Sequence, residues 1–70
     1  MKKRYTVYEV ADILKVDKRT IYRDISEGNL KAAKVGREFI ITSIDIENYL
    51  GKDRAHLLFD EDNNNLESKS

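Results

Sequence analysis

Four polar side chains recur at helical spacing within residues 17–26. They lie at i, i+3, i+4 and i+7, and they are Arg19, Tyr22, Arg23 and Ser26. This spacing places them on one face of a helix, whereas Ile21 and Ile25 lie one turn apart on another face and would contact a core. Guanidinium groups form paired hydrogen bonds with guanine edges or with phosphates, and a short helix fits the DNA major groove. The segment is therefore a candidate recognition helix; a solvated helix face is the alternative interpretation.

A first helix is predicted just before this segment, from Val7 to Leu14 or Lys15. Thr6 is a favourable N-cap, and Glu9, three residues later, completes a capping box. One face of the helix is expected to be buried because apolar residues recur at i, i+3, i+4 and i+7. These residues are Val7, Val10, Ala11 and Leu14. Residues 1–4 are expected to form a flexible basic arm, and Val16 is expected to enter the core at the turn.

The candidate recognition helix is predicted to begin after its cap, Asp17, and to end near Glu27. Gly28 follows as the stop, because glycine adopts the left-handed conformation after a helix at little cost. Only about three residues link the two helices, and a link of that length brings them into contact at a steep angle, as in a helix-turn-helix.

Two short strands are predicted on either side of Gly36 and Arg37, over residues 33–35 and 38–41. Glycine at the first central position suits a type II′ hairpin turn. The side chains expected on the inner face of this hairpin are Val35, Phe39 and Ile41.

A closing helix is predicted from about Ser43 to Leu50, because Thr42 and Asp45 form a second capping box. Its core face comprises Ile46, Tyr49 and Leu50. The fold class is therefore α+β, mostly α: a small winged helix-turn-helix with two helices, a two-stranded wing and a closing helix.

Residues 1–51 are expected to form this domain, and residues 52–70 a C-terminal tail. The segment 53–59 contains Leu57, Leu58 and Phe59, which either extend the last helix onto the core or contact a partner protein. Core packing is the favoured interpretation. The polar, acidic residues 60–70 are expected to be disordered.

The bulk composition restricts the class of protein. A chain of 70 residues holds one small domain, and a domain of this size buries only about 60% of its unfolded surface. Without cysteine it has neither disulfides nor a thiolate zinc site, and no apolar run approaches the ~20 residues of a membrane span. The formal net charge is zero, yet residues 15–37 hold seven Lys and Arg against three Asp and Glu. That local excess of positive charge matters more for DNA binding than the net charge of the whole chain does. The same charges would also keep a small protein in solution.

Three separated stretches carry a family resemblance: residues 5–14 (YTVYEVADIL), 16–23 (VDKRTIYR) and 27–37 (EGNLKAAKVGR). Together they resemble the excisionase-type DNA-binding domains related to the MerR helix-turn-helix group, and the resemblance covers residues 5–50. It implies that the second helix enters the major groove. It also implies that the wing contacts the flanking backbone or minor groove.

The resemblance assigns DNA-binding positions residue by residue. The recognition-helix positions are Lys18, Arg19, Thr20, Tyr22 and Arg23, and the wing-tip positions are Gly36 and Arg37. Lys34 is a supporting phosphate contact or a solubilising charge, and Tyr22 either touches DNA or covers the edge of the core.

Some positions depart from the family pattern. Asp24 lies where relatives usually have a large apolar residue, so either the helix is rotated or Asp24 pairs with a neighbouring basic group. Glu38 and Ile40 occupy wing positions that are often basic, which would weaken the grip of the wing on phosphate. Thr42 replaces a common proline, as its capping role explains.

Catalysis, cofactors and metals are not expected. His56 is the only histidine, and no nucleophile or acid pair is arranged around it. The resemblance implies an excisionase, an architectural factor that bends DNA for excision of a mobile element. Its partners would be double-stranded DNA and a recombinase or integrase, in the cytoplasm at the nucleoid. It would act as a monomer or assemble cooperatively on repeated sites. The alternatives are a transcriptional regulator of a plasmid or phage, and a protein-interaction module that uses the apolar cluster of the tail.

Overall fold

The computed structural model describes residues 1–60, and within them it contains three strands and four helices. In chain order they are β1 (Arg4–Thr6), α1 (Val7–Leu14), α2 (Lys18–Ser26), β2 (Ala33–Val35), β3 (Glu38–Thr42), α3 (Ser43–Leu50) and α4 (Lys52–Phe59). The bounds predicted for the first, second and closing helices agree with α1, α2 and α3 to within a residue or two. The architecture is a small winged helix-turn-helix, as predicted.

The predicted two-stranded wing is present as the β2–β3 hairpin, but it belongs to a three-stranded antiparallel sheet with the strand order β1-β3-β2. Gly36 has a φ of +64°, whereas Arg37 keeps a negative φ. A positive φ at the first central residue alone is what a type II′ turn requires. The turn therefore projects Arg37 from the end of the hairpin.

The extra strand, β1, is held by a buried tyrosine. Tyr5 pairs with Ile41 in the sheet and is only 4% exposed, and its ring meets that of Phe59 edge-on at 5.1 Å between centroids. Burial of this side chain draws the preceding residue onto the sheet, where Arg4 pairs with Thr42. The Lys3 carbonyl also accepts from the Ser43 backbone N at 3.0 Å, and the Met1 ammonium lies 2.8 Å from Asp60 Oδ1. The expectation that residues 1–4 form a flexible arm was therefore wrong.

The core contains side chains from both ends of the described chain. Its buried members are Tyr5, Val7, Val10, Ala11, Ile21, Leu30, Ile41, Ile46, Ala55 and Phe59. The segment after Gly51 thus packs on the core, as favoured from the sequence, but as a separate helix, because Gly51 adopts a non-helical conformation with a φ of +92°. Leu57 of this helix is 72% exposed.

Two threonines join strands directly to helices. Thr6 is the last residue of β1 and the N-cap of α1, and its Oγ1 accepts from the Glu9 backbone N at 3.1 Å. Thr42 ends β3 and caps α3 in the same way, with its Oγ1 accepting from the Asp45 backbone N at 3.2 Å. Each threonine backbone N in turn donates to the acidic side chain of its box, so both predicted capping boxes are confirmed.

Two apolar residues lie outside the core, contrary to expectation. Val35 is 63% exposed because the hairpin register pairs it with Glu38, on the face opposite Phe39 and Ile41. Val16 is 41% exposed. Its backbone N donates to the Ala11 carbonyl at 3.0 Å and thereby closes the end of α1. That contact keeps Val16 at the helix end, where its side chain faces solvent.

A histidine links α3 and α4. His56 Nε2 lies 2.5 Å from Glu47 Oε2, and His56 Nδ1 lies 2.8 Å from Asp60 Oδ2. Hydrogen bonds with Asp60 and Glu47 raise the pKa of His56 above its ordinary value. Asp60 thus makes defined contacts; the rest of the predicted disorder falls on residues 61–70, outside the described residues.

No helix within residues 1–60 combines the length and apolar character needed to cross a membrane.

Candidate nucleic-acid interface

Helix α2 presents one face to the core and the other to solvent. Asp17 caps it, with Oδ1 accepting from the Arg19 backbone N at 2.8 Å. Ile21 is fully buried and Ile25 is partly buried, and together they fix the rotation of the helix. The side chains of Arg19 and Arg23 are consequently 86% and 64% exposed. The predicted polar stripe therefore faces outward.

The remaining predicted residues lie at the two ends of the interface. At the start of α2, Lys18 is exposed and Thr20 is partly buried. In the wing, Lys34, Gly36 and Arg37 are all exposed. Lys34 extends its Nζ over the ring of Phe39, 5.7 Å from the centroid. These residues thus remain accessible to a ligand.

Tyr22 connects α2 to the wing. Its ring packs edge-on against Phe39 with centroids 6.2 Å apart, while 38% of the residue stays exposed. Partial burial raises the pKa of Tyr22, and the neighbouring Tyr8 hydroxyl and Glu38 carboxylate act in the same direction. Tyr22 thus covers the edge of the core, the second of the two roles considered for it, and still offers surface to a ligand.

A cleft of about 330 Å³ lies between the start of α1, helix α2 and the wing. Tyr8, Tyr22, Arg37, Glu38 and Phe39 contribute to its walls. The fold thus brings two of the predicted residues, Tyr22 and Arg37, to the same cleft. The other predicted residues do not line it: Lys18, Arg19, Thr20, Arg23, Lys34 and Gly36.

Tyr8 is a candidate that sequence reasoning missed. It is 59% exposed, and Lys18 Nζ lies 5.1 Å from the centroid of its ring. The available signal was its position beside Val7 and off the apolar stripe of α1, where a large aromatic side chain has no role in the core.

Asp24 is largely enclosed rather than displaced to the surface. Its side chain is 15% exposed and accepts a hydrogen bond from the Tyr49 hydroxyl of α3, while Arg23 Nε lies 3.9 Å away. Burial, followed by the hydrogen bond to Asp24, raises the pKa of Tyr49 to about 12. The enclosed carboxylate is accommodated here because a tyrosine on the closing helix donates a hydrogen bond to it.

Within the part of the chain that the structure describes, no group of three or more His, Cys, Asp or Glu side chains could hold a metal ion. The predicted interface residues carry cationic, hydroxyl and aromatic groups on α2 and on the β2–β3 wing. Such groups bind anions and hydrogen-bond acceptors.

Curated relatives share part of this sequence. The chain is similar to the "Uncharacterized protein YvgK" of Bacillus subtilis, with 44% identity over 45 residues, which are 64% of this chain and 15% of that protein. It is also similar to the "Putative DNA-binding protein Rv0500A" of Mycobacterium tuberculosis, with 50% identity over 34 residues. That match covers 49% of this chain and 44% of the relative, so the chain spans less than half the length of these relatives. No solved structure matches the chain significantly.

The sequence model of one family matches residues 4–54, a range that runs from β1 into α4 and includes α2 and the wing. Because this match covers most of the chain, the protein belongs to the helix-turn-helix domain family, a DNA-binding kind of domain.

Proposed function

We propose that this chain binds duplex DNA through α2 and the β2–β3 wing, and that it acts as an excisionase-type architectural factor. The observation that carries the proposal is the outward face of α2, where Arg19 and Arg23 are exposed because Ile21 is fully buried on the opposite face. Two long cations on a short, rigidly held helix suit contacts with base edges and phosphates in the major groove.

The two ends of the interface would contact the DNA backbone. Lys18 and Thr20 lie in the first turn of α2, where an ammonium and a hydroxyl group can contact phosphate oxygens. On the wing, the β turn projects Arg37 beside Gly36, and Lys34 lies on the adjoining strand. We therefore assign phosphate or minor-groove contacts to the wing and base contacts to α2.

The small size of the interface suggests that the protein acts by occupying DNA sites in several copies. Single DNA-binding modules bury roughly 600–1,000 Å², so one copy is expected to bind with modest affinity and strong salt dependence. Cooperative binding of several copies to repeated sites would compensate for the modest affinity of one copy. We propose that such an assembly bends the DNA. The excisionase assignment rests on the resemblance of residues 5–50 to that group, and we extend it to a recombinase partner and to a location at the nucleoid in the cytoplasm.

The test is selection of bound duplexes from a random DNA pool at near-physiological salt, followed by sequencing. We expect enrichment of a short motif that occurs in repeats at a fixed spacing. The absence of any enriched motif would contradict sequence-preferring binding.

A second measurement separates the proposed role from transcriptional regulation. Duplexes that carry two or three copies of the enriched motif are compared by electrophoretic mobility, with the motif placed at the centre or at the end of the fragment. An excisionase is expected to bend the DNA and to stimulate excision by the recombinase of the same element. Unbent DNA with occupancy of a promoter would instead favour a regulator.

A further inference from the structure

Tyr8 lies at the edge of the proposed DNA interface without contributing to the core. The residue is 59% exposed, and it is the second residue of α1, next to the buried Val7. Its ring lies beneath the ammonium of Lys18, with Nζ 5.1 Å from the ring centroid. A cation is attracted to the face of an aromatic ring, so this contact orients the Lys18 side chain.

The contact with Tyr8 occurs at a position where a lysine is electrostatically unfavourable for the helix. Lys18 is the first residue of α2, where the helix dipole opposes a positive charge. The aromatic face of Tyr8 offsets that effect and holds the ammonium against a residue of the cleft wall, while Lys18 itself does not line the cleft. The arrangement thus places the Tyr8 side chain in the cleft wall and a cation against the ring of that side chain.

The opposite wall of the cleft is chemically mixed. Arg37 attracts an anion, whereas the adjacent Glu38 carboxylate repels one. An anion in the cleft is therefore favoured beside Tyr8, because the Lys18 ammonium lies against the ring of that residue. If α2 enters a groove and the wing contacts the flanking DNA, the strand between them passes across this cleft.

We propose that the cleft holds a segment of the DNA sugar–phosphate backbone. The Tyr8 hydroxyl donates to a phosphate oxygen, and the Tyr8 ring positions Lys18 beside the same phosphate. This inference rests on the proposed function and adds to it a backbone-binding residue on α1. Because contacts with phosphate carry no sequence information, Tyr8 contributes to affinity without contributing to base preference.

The test measures the affinity of the full chain and of two variants for the enriched duplex and for a scrambled duplex, at several salt concentrations. Tyr8→Phe keeps the ring over which Lys18 lies and removes the hydroxyl. Tyr8→Ala removes both. Leu57→Ala is the matched control, because it truncates a side chain that is 72% exposed on α4.

We expect Tyr8→Phe to weaken binding to both duplexes about tenfold or more, as for the loss of one hydrogen bond to a charged group. Tyr8→Ala should weaken both further and lower the salt slope by about 1, because Lys18 loses its orientation. The ratio of the two affinities should stay constant, and Leu57→Ala should bind like the parent chain.

Three results would overturn the inference. Parental affinity of both Tyr8 variants would show that the cleft is not a backbone site. A loss confined to the enriched duplex would make Tyr8 a base-reading residue instead. If Tyr8→Phe binds like the parent chain while Tyr8→Ala binds more weakly, the Tyr8 hydroxyl does not donate to a phosphate. The Tyr8→Phe measurement decides this point even if Tyr8→Ala does not fold. Failure of the parent chain to bind any duplex would instead refute the proposed function itself.

Discussion

The hydroxyl of Tyr49 donates a hydrogen bond to the carboxylate of Asp24, and this contact joins the closing helix α3 to the recognition helix α2. The two residues are 25 positions apart in the chain. The Asp24 backbone carbonyl also accepts from the N–H groups of Asn29 and Leu30, which end the turn after α2. Asp24 thus helps to fix both the orientation of α2 and the path of the chain that leaves it.

Tyr49→Phe should lower the free energy of unfolding by about 1.5–3 kcal/mol, because the largely enclosed Asp24 carboxylate loses its donor. Urea denaturation measures this difference, and the m-value should not change, since the fold is retained. Tyr8→Phe is the control for loss of an exposed hydroxyl and should stay within about 0.5 kcal/mol of the parent. Equal stability of Tyr49→Phe and the parent would refute a stabilising role for the contact.

The burial of Tyr49, together with its hydrogen bond to Asp24, should make the stability of the fold fall at alkaline pH. In the folded chain the pKa of Tyr49 is about 12, above its ordinary value of 10.0. A group whose pKa is raised by folding stabilises fully below its unfolded pKa and loses that contribution as the pH approaches its folded pKa. The stability difference between the parent and Tyr49→Phe should therefore shrink between pH 10 and pH 12. A difference that stays constant over this range in urea denaturation would contradict the assignment.

Removal of the arginine pair should weaken DNA binding without unfolding the chain. We expect Arg19→Ala combined with Arg23→Ala to raise Kd at least tenfold, since each arginine contact is worth about 1–3 kcal/mol. Because both side chains are mostly exposed, the circular dichroism spectrum and Tm should stay close to those of the parent. Fluorescence anisotropy with a labelled duplex measures Kd.

The matched control for the arginine pair removes the same number of charges elsewhere. Lys52→Ala combined with Arg54→Ala alters exposed cations of α4, outside the proposed interface. This variant should bind the enriched duplex with nearly the parental Kd. Comparable losses for both pairs would mean that net charge alone, rather than the face of α2, determines affinity.

The register of the wing can be tested by two alanine substitutions. Ile41→Ala should cost about 2–5 kcal/mol, because the side chain is fully buried, and most of the stability of so small a domain would be lost. Val35→Ala should cost less than about 1 kcal/mol, since the residue is 63% exposed and only strand propensity changes. Thermal denaturation distinguishes the two. Similar losses would mean that Val35 faces the core.

Features that depend on neighbouring residues were predictable. The capping boxes at Thr6 and Thr42 follow from residues three positions apart, and the type II′ turn follows from Gly36. These local signals located α1, α3 and the wing to within a residue or so. The outward face of α2 was equally accessible, because the spacing of Ile21 and Ile25 fixes its rotation.

Features that depend on distant residues were not predictable. Pairing of β1 with β3 requires the burial of Tyr5 against Phe59, 54 positions later, and no local pattern records that contact. The donor for Asp24 comes from another helix, and the face of Val35 depends on its pairing with Glu38. The DNA-contacting roles of the predicted interface residues remain predictions, which the binding measurements above test.

The two threonines that end strands and cap helices have a consequence for the thermodynamics of association. Since Thr6 and Thr42 are shared by a strand and a helix, no flexible linker separates β1 from α1 or β3 from α3. The backbone around the helix-turn-helix and the wing is preorganised, and little of its conformational entropy remains to be lost on binding. The entropic cost should fall mainly on the cationic side chains, at about 0.5–1.5 kcal/mol for each that is immobilised. Association is therefore expected to resemble rigid-body docking rather than coupled folding and binding.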